Sequence, residues 1–199
     1  ARARWVGYLS TTGVYGDHDG DWVDEDTPLA PGTVRGQRRV LAERQWQVAA
    51  REAGWPLHIF RLGGIYGPGR APFDRLRAGT ARRIVKPGQV FSRIHVDDIA
   101  EALALSMAHP TGTGRAAAIY NLVDDAPGPP GDVLVHAAGL IGVAPPPEVP
   151  LERAGLSEAG RSFYAECKRV SNARIKRALG FAPHYPSYRE GLPAVLAEE

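Results

Sequence analysis

Three short apolar runs constrain this chain more than any other feature: WVGYLS (5–10), LHIFRLGG (57–64) and AAIYNLV (117–123). Each has the length of a strand and is bounded by turn-forming residues. The intervals carry helical patterns. Thr33 can cap a helix running to about Gly54, with Val34, Leu41 and Val48 on one stripe and Ala42, Trp46, Ala49 and Ala53 beside it. Asp97 and Asp98 open IAEALALSMAH with acids where a helix start favours them. VFSRIHV (90–96) is expected as a further strand, 129–141 as a helix, and Ser171 or Asn172 as the cap of ARIKRALG. Strands alternating with helices argue an α/β fold with a mainly parallel sheet.

Composition narrows the function classes. At 199 residues, 44% hydrophobic and 23% charged, the chain is long enough for one large domain or two small ones. A net charge of +2 lacks the dense basic stripe of a nucleic-acid binder, so no nucleic-acid partner is expected. No apolar run approaches the roughly 18 residues that span a bilayer, so no membrane role is expected either. The one cysteine, Cys167, excludes an intrachain disulfide and agrees with a cytoplasmic location. Asp17, Asp19 and Asp21 alternate as in a calcium loop, but Trp22 and Pro28 stand where that loop needs Gly and Glu. No metal is expected.

GYLSTTGVYGD (7–17), FRLGGIYGPGR (60–70) and RIHVDDIAEAL (93–103), in this order, resemble the extended short-chain dehydrogenase/reductase family, the NAD-dependent epimerase/dehydratase group. KRVSNARIKRALGF and YPSYREGL resemble that family's C-terminal end. The resemblance implies a Rossmann-like doubly wound, mainly parallel sheet with a smaller substrate-side domain. It assigns 1–64 and 93–123 to the C-terminal half of the NAD(P)-binding domain, and 65–92 and 124–199 to the smaller one. By resemblance the chain starts at the sheet's fifth strand, without the Gly-rich turn that cradles the pyrophosphate. GGIYGPG (63–69) has glycines but not the G-x-G-x-x-G spacing.

The family's catalytic Tyr and, four residues on, its Lys share one helix face, the phenol moving a proton and the ammonium lowering its pKa and holding the nicotinamide ribose. Anchoring on VLAE puts Arg35 at the Tyr position and Arg39 at the Lys position, and an arginine stays protonated. Arg39 can still offer charge and donors to a ribose or phosphate of NAD or NADP, the implied cofactor. Arg35, Arg38 and Arg39 crowd a helix start, where either an anion or the acidic loop 17–26 would balance them.

Thr11 falls where the family places a hydroxyl that bonds a substrate oxygen; ending a strand is the alternative. Tyr15 is the nearest phenol able to replace the missing proton donor, and packing its ring under the loop is the alternative. The resemblance places the cofactor against Leu62, Gly63, Gly64 and Ile65, and the small-molecule substrate near Thr12, Tyr66, Arg70 and Arg93. Phe91 stands where sugar-nucleotide epimerases often carry a phosphate-gripping Arg, and Gly64 where they often carry Asn. The implied function is an atypical NAD(P)-dependent oxidoreductase or epimerase-like protein whose substrate is not a UDP-sugar. A non-catalytic NAD(P)-binding sensor or scaffold is the alternative. The family's dimers imply a homodimer through the helix at 33–54.

Overall fold

A computed structural model describes residues 3–110 and 117–199. Strands β1 (Val6–Thr11), β3 (Leu57–Leu62) and β7 (Ala118–Leu122) form a parallel sheet in the order β1-β3-β7. Between the first two lie the two-residue strand β2 (Trp22–Val23) and helix α1 (Val34–Ala53). Next come β4 (Gly64–Tyr66), α2 (Phe73–Arg77), β5 (Arg83–Val85), β6 (Arg93–His95) and α3 (Val96–Ala108). After β7 the chain forms α4 (Pro130–Leu140), β8 (Glu148–Pro150), α5 (Glu158–Tyr164), β9 (Arg169–Val170), α6 (Ala173–Leu179) and α7 (Tyr188–Ala197). Three small parallel pairs, β2-β9, β4-β6 and β5-β8, tie the later segments to the earlier ones.

Every residue of β3 is buried, as a middle strand covered on both faces requires. Phe60, Leu62, Ile94, Ile99, Tyr120 and Leu122 join Ile175, Leu179 and Phe181 in the main core cluster. The polar members of β3 find partners: His58 Nδ1 sits 2.6 Å from Ser106 Oγ on α3, and Arg61 pairs with Glu43 on α1. β1 is the outer strand of the sheet, with neighbours on one side only among the described residues.

Helix α1 begins and ends as its caps dictate. Thr33 Oγ1 accepts from Gly36 N at 3.1 Å, and Gly54 closes the helix at φ 65°, a left-handed conformation that glycine adopts without strain. Its inward face is Gly36, Val40, Glu43 and Ala50. The apolar stripe Val34, Leu41 and Val48 faces outward. A glycine, a small residue and a paired acid occupy the side that meets the sheet, so hydrophobic spacing alone points to the wrong face.

One local expectation needs correction, and an alternative left open at α6 is resolved. The strand expected over 90–96 is confined to Arg93–His95, because His95 Nδ1 accepts from Asp97 N at 3.2 Å and draws Val96 into the first turn of α3. Phe91 instead exchanges backbone bonds with Gly128, at 3.0 and 3.1 Å. At α6 the Asn172 amide reaches Val123 O and Asp125 Oδ1, so the accepting side chain is Ser171, at 3.3 Å from Ala173 N.

Candidate functional site at the carboxyl ends of the strands

In the parallel sheet Thr11 pairs with Leu62 and Leu62 with Leu122, so the three strands end level. Open α/β sheets place ligands beyond such ends. Thr11 Oγ1 accepts from Gly13 N at 3.1 Å and starts a 3-10 turn over Thr12–Val14. That bond uses the oxygen as acceptor; the Thr11 O–H has no acceptor among the described residues. The start of α1 lies directly on this turn, since a Cβ on Gly36 would stand 2.8 Å from Gly13 O. Only glycine permits that approach.

The arginines at the helix start separate. Arg35 and Arg38 are exposed and have no partner among the described residues. Arg39 turns to β1, donating from Nη1 to Leu9 O and to Tyr8 OH, each at 3.2 Å. No acid lies in the first turn of the helix, so no carboxylate there offsets the dipole's positive end.

At the end of β3, Gly63 is locked: its N–H donates to Leu122 O at 3.2 Å, and a Cβ would lie 2.7 Å from Ser92 O. Gly64 is exposed, its nearest neighbour to a built Cβ being Ser92 O at 3.7 Å. Leu62 is buried and Ile65 half-buried against the core, so of this segment Gly64 alone is exposed, its N–H held by Ser92 O at 2.9 Å in the β4-β6 pair. Tyr66 is also buried, with its hydroxyl donating to Ser187 O at 3.2 Å and its ring edge-on to His95; burial raises the phenol above its ordinary range.

Tyr15 has no exposed surface. Its hydroxyl donates to Asn121 Oδ1 at 2.6 Å and accepts from Arg61 Nη1 at 3.0 Å, and the same guanidinium lies 5.0 Å from the ring centroid. Burial pushes this phenol up, against the pull of Arg61. Arg61 in turn grips Glu43 with Nε at 3.2 Å and Nη2 at 2.9 Å, while Ser10 Oγ donates to the same carboxylate at 2.5 Å. On the far side Asn121 N donates to Glu25 Oε1 at 2.7 Å, and burial raises the Glu25 carboxyl. Sequence reading missed this network. Its signal was a lone arginine inside the apolar run LHIFRL, which demands a buried acid.

A second polar wall was also missed. Lys168, 9% exposed, donates to Gly16 O at 2.5 Å and to Glu166 Oε2 at 2.8 Å, pinning the loop after β1 to the segment before β9. Asp17 Oδ1 accepts from Cys167 N at 2.6 Å, which holds its carboxyl below the usual range and gives one acid of the DHDGD loop a structural task. Of the two arginines on the substrate side, Arg70 is exposed, and Arg93 is buried beside Asp124. Among the described residues no group of His, Cys, Asp and Glu is arranged to hold a metal ion, and no helix is long and apolar enough to cross a membrane.

These residues fit one end of a dinucleotide. The Thr11 hydroxyl proton and the cationic start of α1 offer donors, and the side-chain-free surface at Gly64 leaves room beside them. No G-x-G-x-x-G occurs in the sequence to hold the pyrophosphate.

Residues 2–122 match the NAD dependent epimerase/dehydratase family. A 3-diazoavenalumate denitrifying reductase from a Streptomyces species is 32% identical over 190 residues, 85% of this chain and 58% of that protein. A functionally unknown conserved protein from Silicibacter pomeroyi has a solved structure that superposes with a TM-score of 0.92 at 58% identity, covering 98% of this chain and 67% of that one. The dTDP-glucose 4,6-dehydratase DesIV of Streptomyces venezuelae, solved with NAD and TYD bound, superposes at a TM-score of 0.77 with 22% identity, covering 97% of this chain and 59% of that one, and so shares the Rossmann fold. The chain thus spans a little over half the length of the curated relatives it matches. Its motifs, its level parallel strand ends and the matched residues agree: the chain belongs to the NAD dependent epimerase/dehydratase family.

Proposed function

We propose that this chain forms the nicotinamide and substrate side of an NAD(P)-dependent oxidoreductase or epimerase-like protein that acts on a small molecule other than a UDP-sugar. The observation that carries this reading is the unused Thr11 O–H at the carboxyl end of β1, one strand away from the exposed Gly64 backbone. A bound nicotinamide supplies or accepts the hydride. Thr11 donates to the substrate oxygen, and Arg39 keeps the edge of β1 cationic near the cofactor ribose. Tyr15 belongs to the scaffold in this reading, since its hydroxyl is committed to Asn121 and Arg61. Phe91 and Gly64, in place of the Arg and Asn of many sugar-nucleotide enzymes, support a substrate outside that class. The outward stripe of Val34, Leu41 and Val48 supports a homodimer through α1.

A second reading is a non-catalytic NAD(P)-binding sensor. It is favoured by Arg35 and Arg39 at the places of the Tyr-Lys pair, because neither can shuttle a proton. Oxidation of NADPH and NADH by the protein against a panel of carbonyl compounds separates the two. Turnover that falls roughly 100–1,000-fold in Thr11→Ala, with the cofactor still bound, supports the enzyme, given the effect of removing one positioned donor. Cofactor binding without turnover on any carbonyl supports the sensor. Turnover indifferent to Thr11→Ala overturns the site.

A further inference from the structure

Arg93 is 9% exposed, yet no carboxylate among the described residues is paired with it. A buried guanidinium in a protein is ordinarily matched by an acid, as Arg61 is by Glu43 here. Arg93 uses one nitrogen only: Nη1 donates to Phe91 O at 3.0 Å and to Gly128 O at 3.3 Å. Those two carbonyls belong to residues that also bond each other through their backbones, so the guanidinium plane is fixed by a rigid pair. Nε and Nη2 have no partner among the described residues, and neither is among the fully enclosed unpartnered atoms, so this edge keeps its contact with solvent. It is the same edge with which Arg61 takes both oxygens of Glu43.

We propose that the Nε/Nη2 edge of Arg93 anchors an anionic group, a carboxylate or a phosphate, of the small molecule this protein binds. Two oxygens of a carboxylate or a phosphate meet that edge with two parallel hydrogen bonds, and a donor pair already oriented loses little freedom on binding. The surroundings are aromatic. The Tyr188 ring centroid lies 5.8 Å from the Arg93 Cζ, and Phe91 stacks edge-on with Tyr164 at 5.6 Å. Asp124 lies near without pairing: its N–H donates to Arg93 O at 2.6 Å, its Oδ1 accepts from Ala126 N at 3.2 Å, and its Oδ2 has no partner among the described residues. Burial pushes the Asp124 carboxyl up to about 7, so near neutrality it leaves much of the Arg93 charge uncompensated. The inference deepens the oxidoreductase reading by giving its substrate a class, and rests on that reading for the word substrate alone.

The test is calorimetric titration of the protein, without nicotinamide cofactor and at constant ionic strength, with benzoate and separately with inorganic phosphate. The wild type is expected to bind one of them. Arg93→Gln is expected to weaken that binding by at least tenfold, on the scale of losing two charge-assisted hydrogen bonds, with Arg51→Gln, in the last turn of α1, unaffected. Preference for benzoate assigns a carboxylate and preference for phosphate a phosphoryl group. Should Arg93→Gln fail to fold, the Arg93 Nε–H resonance of the wild type is followed by NMR, and a shift that saturates with the anion is the expected result. Equal binding by wild type and Arg93→Gln, an unmoved resonance, or binding of neither anion overturns the proposal. Anion binding at Arg93 in a protein that binds no nicotinamide keeps this inference and sinks the oxidoreductase reading; cofactor turnover without Arg93-dependent anion binding does the reverse.

Discussion

Replacing Arg61 with Met should be among the most damaging single changes in this protein. The Glu43 carboxylate, 1% exposed, takes two hydrogen bonds from Arg61 and one from Ser10. Without Arg61 it keeps only the Ser10 hydroxyl in a site that water does not reach. Breaking a buried pair by removing one partner costs about 3–5 kcal/mol. For a chain of this size about 1 kcal/mol moves the midpoint by roughly 2–4 °C, so Arg61→Met should lower Tm by roughly 6–20 °C. Glu43→Leu strands the Arg61 guanidinium and should cost a similar amount. The double change leaves no orphaned charge: Tyr15 still donates to Asn121 at 2.6 Å, and only the Ser10 hydroxyl loses its acceptor. It should therefore lie within about 2 kcal/mol of wild type, an unsatisfied hydroxyl being worth about 1–3 kcal/mol. Urea denaturation of all four proteins gives the coupling energy directly. Additive single effects, or singles below about 1 kcal/mol, would refute the claim that this pair is held dry between α1 and the sheet.

Three further outcomes follow from other parts of the molecule. Asp124 is held near pKa 7 by burial against an ordinary 3.8, so the unfolded chain releases this proton well before the folded one does. Raising pH from about 4 to 7 should thus cost roughly 3 kcal/mol of stability, and Asp124→Asn should flatten that slope in urea titrations at several pH values. Gly16, at φ 81°, has no room for a Cβ, which would run into the Ala30 carbonyl oxygen, so Gly16→Ala should destabilise by at least about 2 kcal/mol in the same assay. Leu41→Glu with Val48→Glu, on the exposed stripe of α1, should leave the monomer's stability within about 1 kcal/mol and weaken self-association measured by sedimentation.

Much of the scaffold was legible because its signals are local. Thr33 and Gly54 mark α1 through the chemistry of caps, and the three apolar runs mark the sheet through length and turn residues. What stayed hidden depends on pairing across long separations. Glu43 in a helix and Arg61 in a strand look like an exposed acid and an anomaly until the fold brings them together. The two-residue strands β2 and β9 carry no periodicity, and they meet only because Asp17, Gly16 and Gly20 are tied to residues 167–169. At the site, Thr11 was visible from its motif, whereas the open edge of Arg93 appears only once its backbone acceptors at Phe91 and Gly128 are known.

The most direct test of the central claim is a crystal structure of the protein grown with NADPH. The account predicts the nicotinamide beyond the carboxyl ends of β1 and β3, against the Gly64 backbone and within hydrogen-bonding reach of a substrate oxygen held by Thr11. A nicotinamide seated elsewhere, with Thr11 and Gly64 facing only solvent, would contradict it.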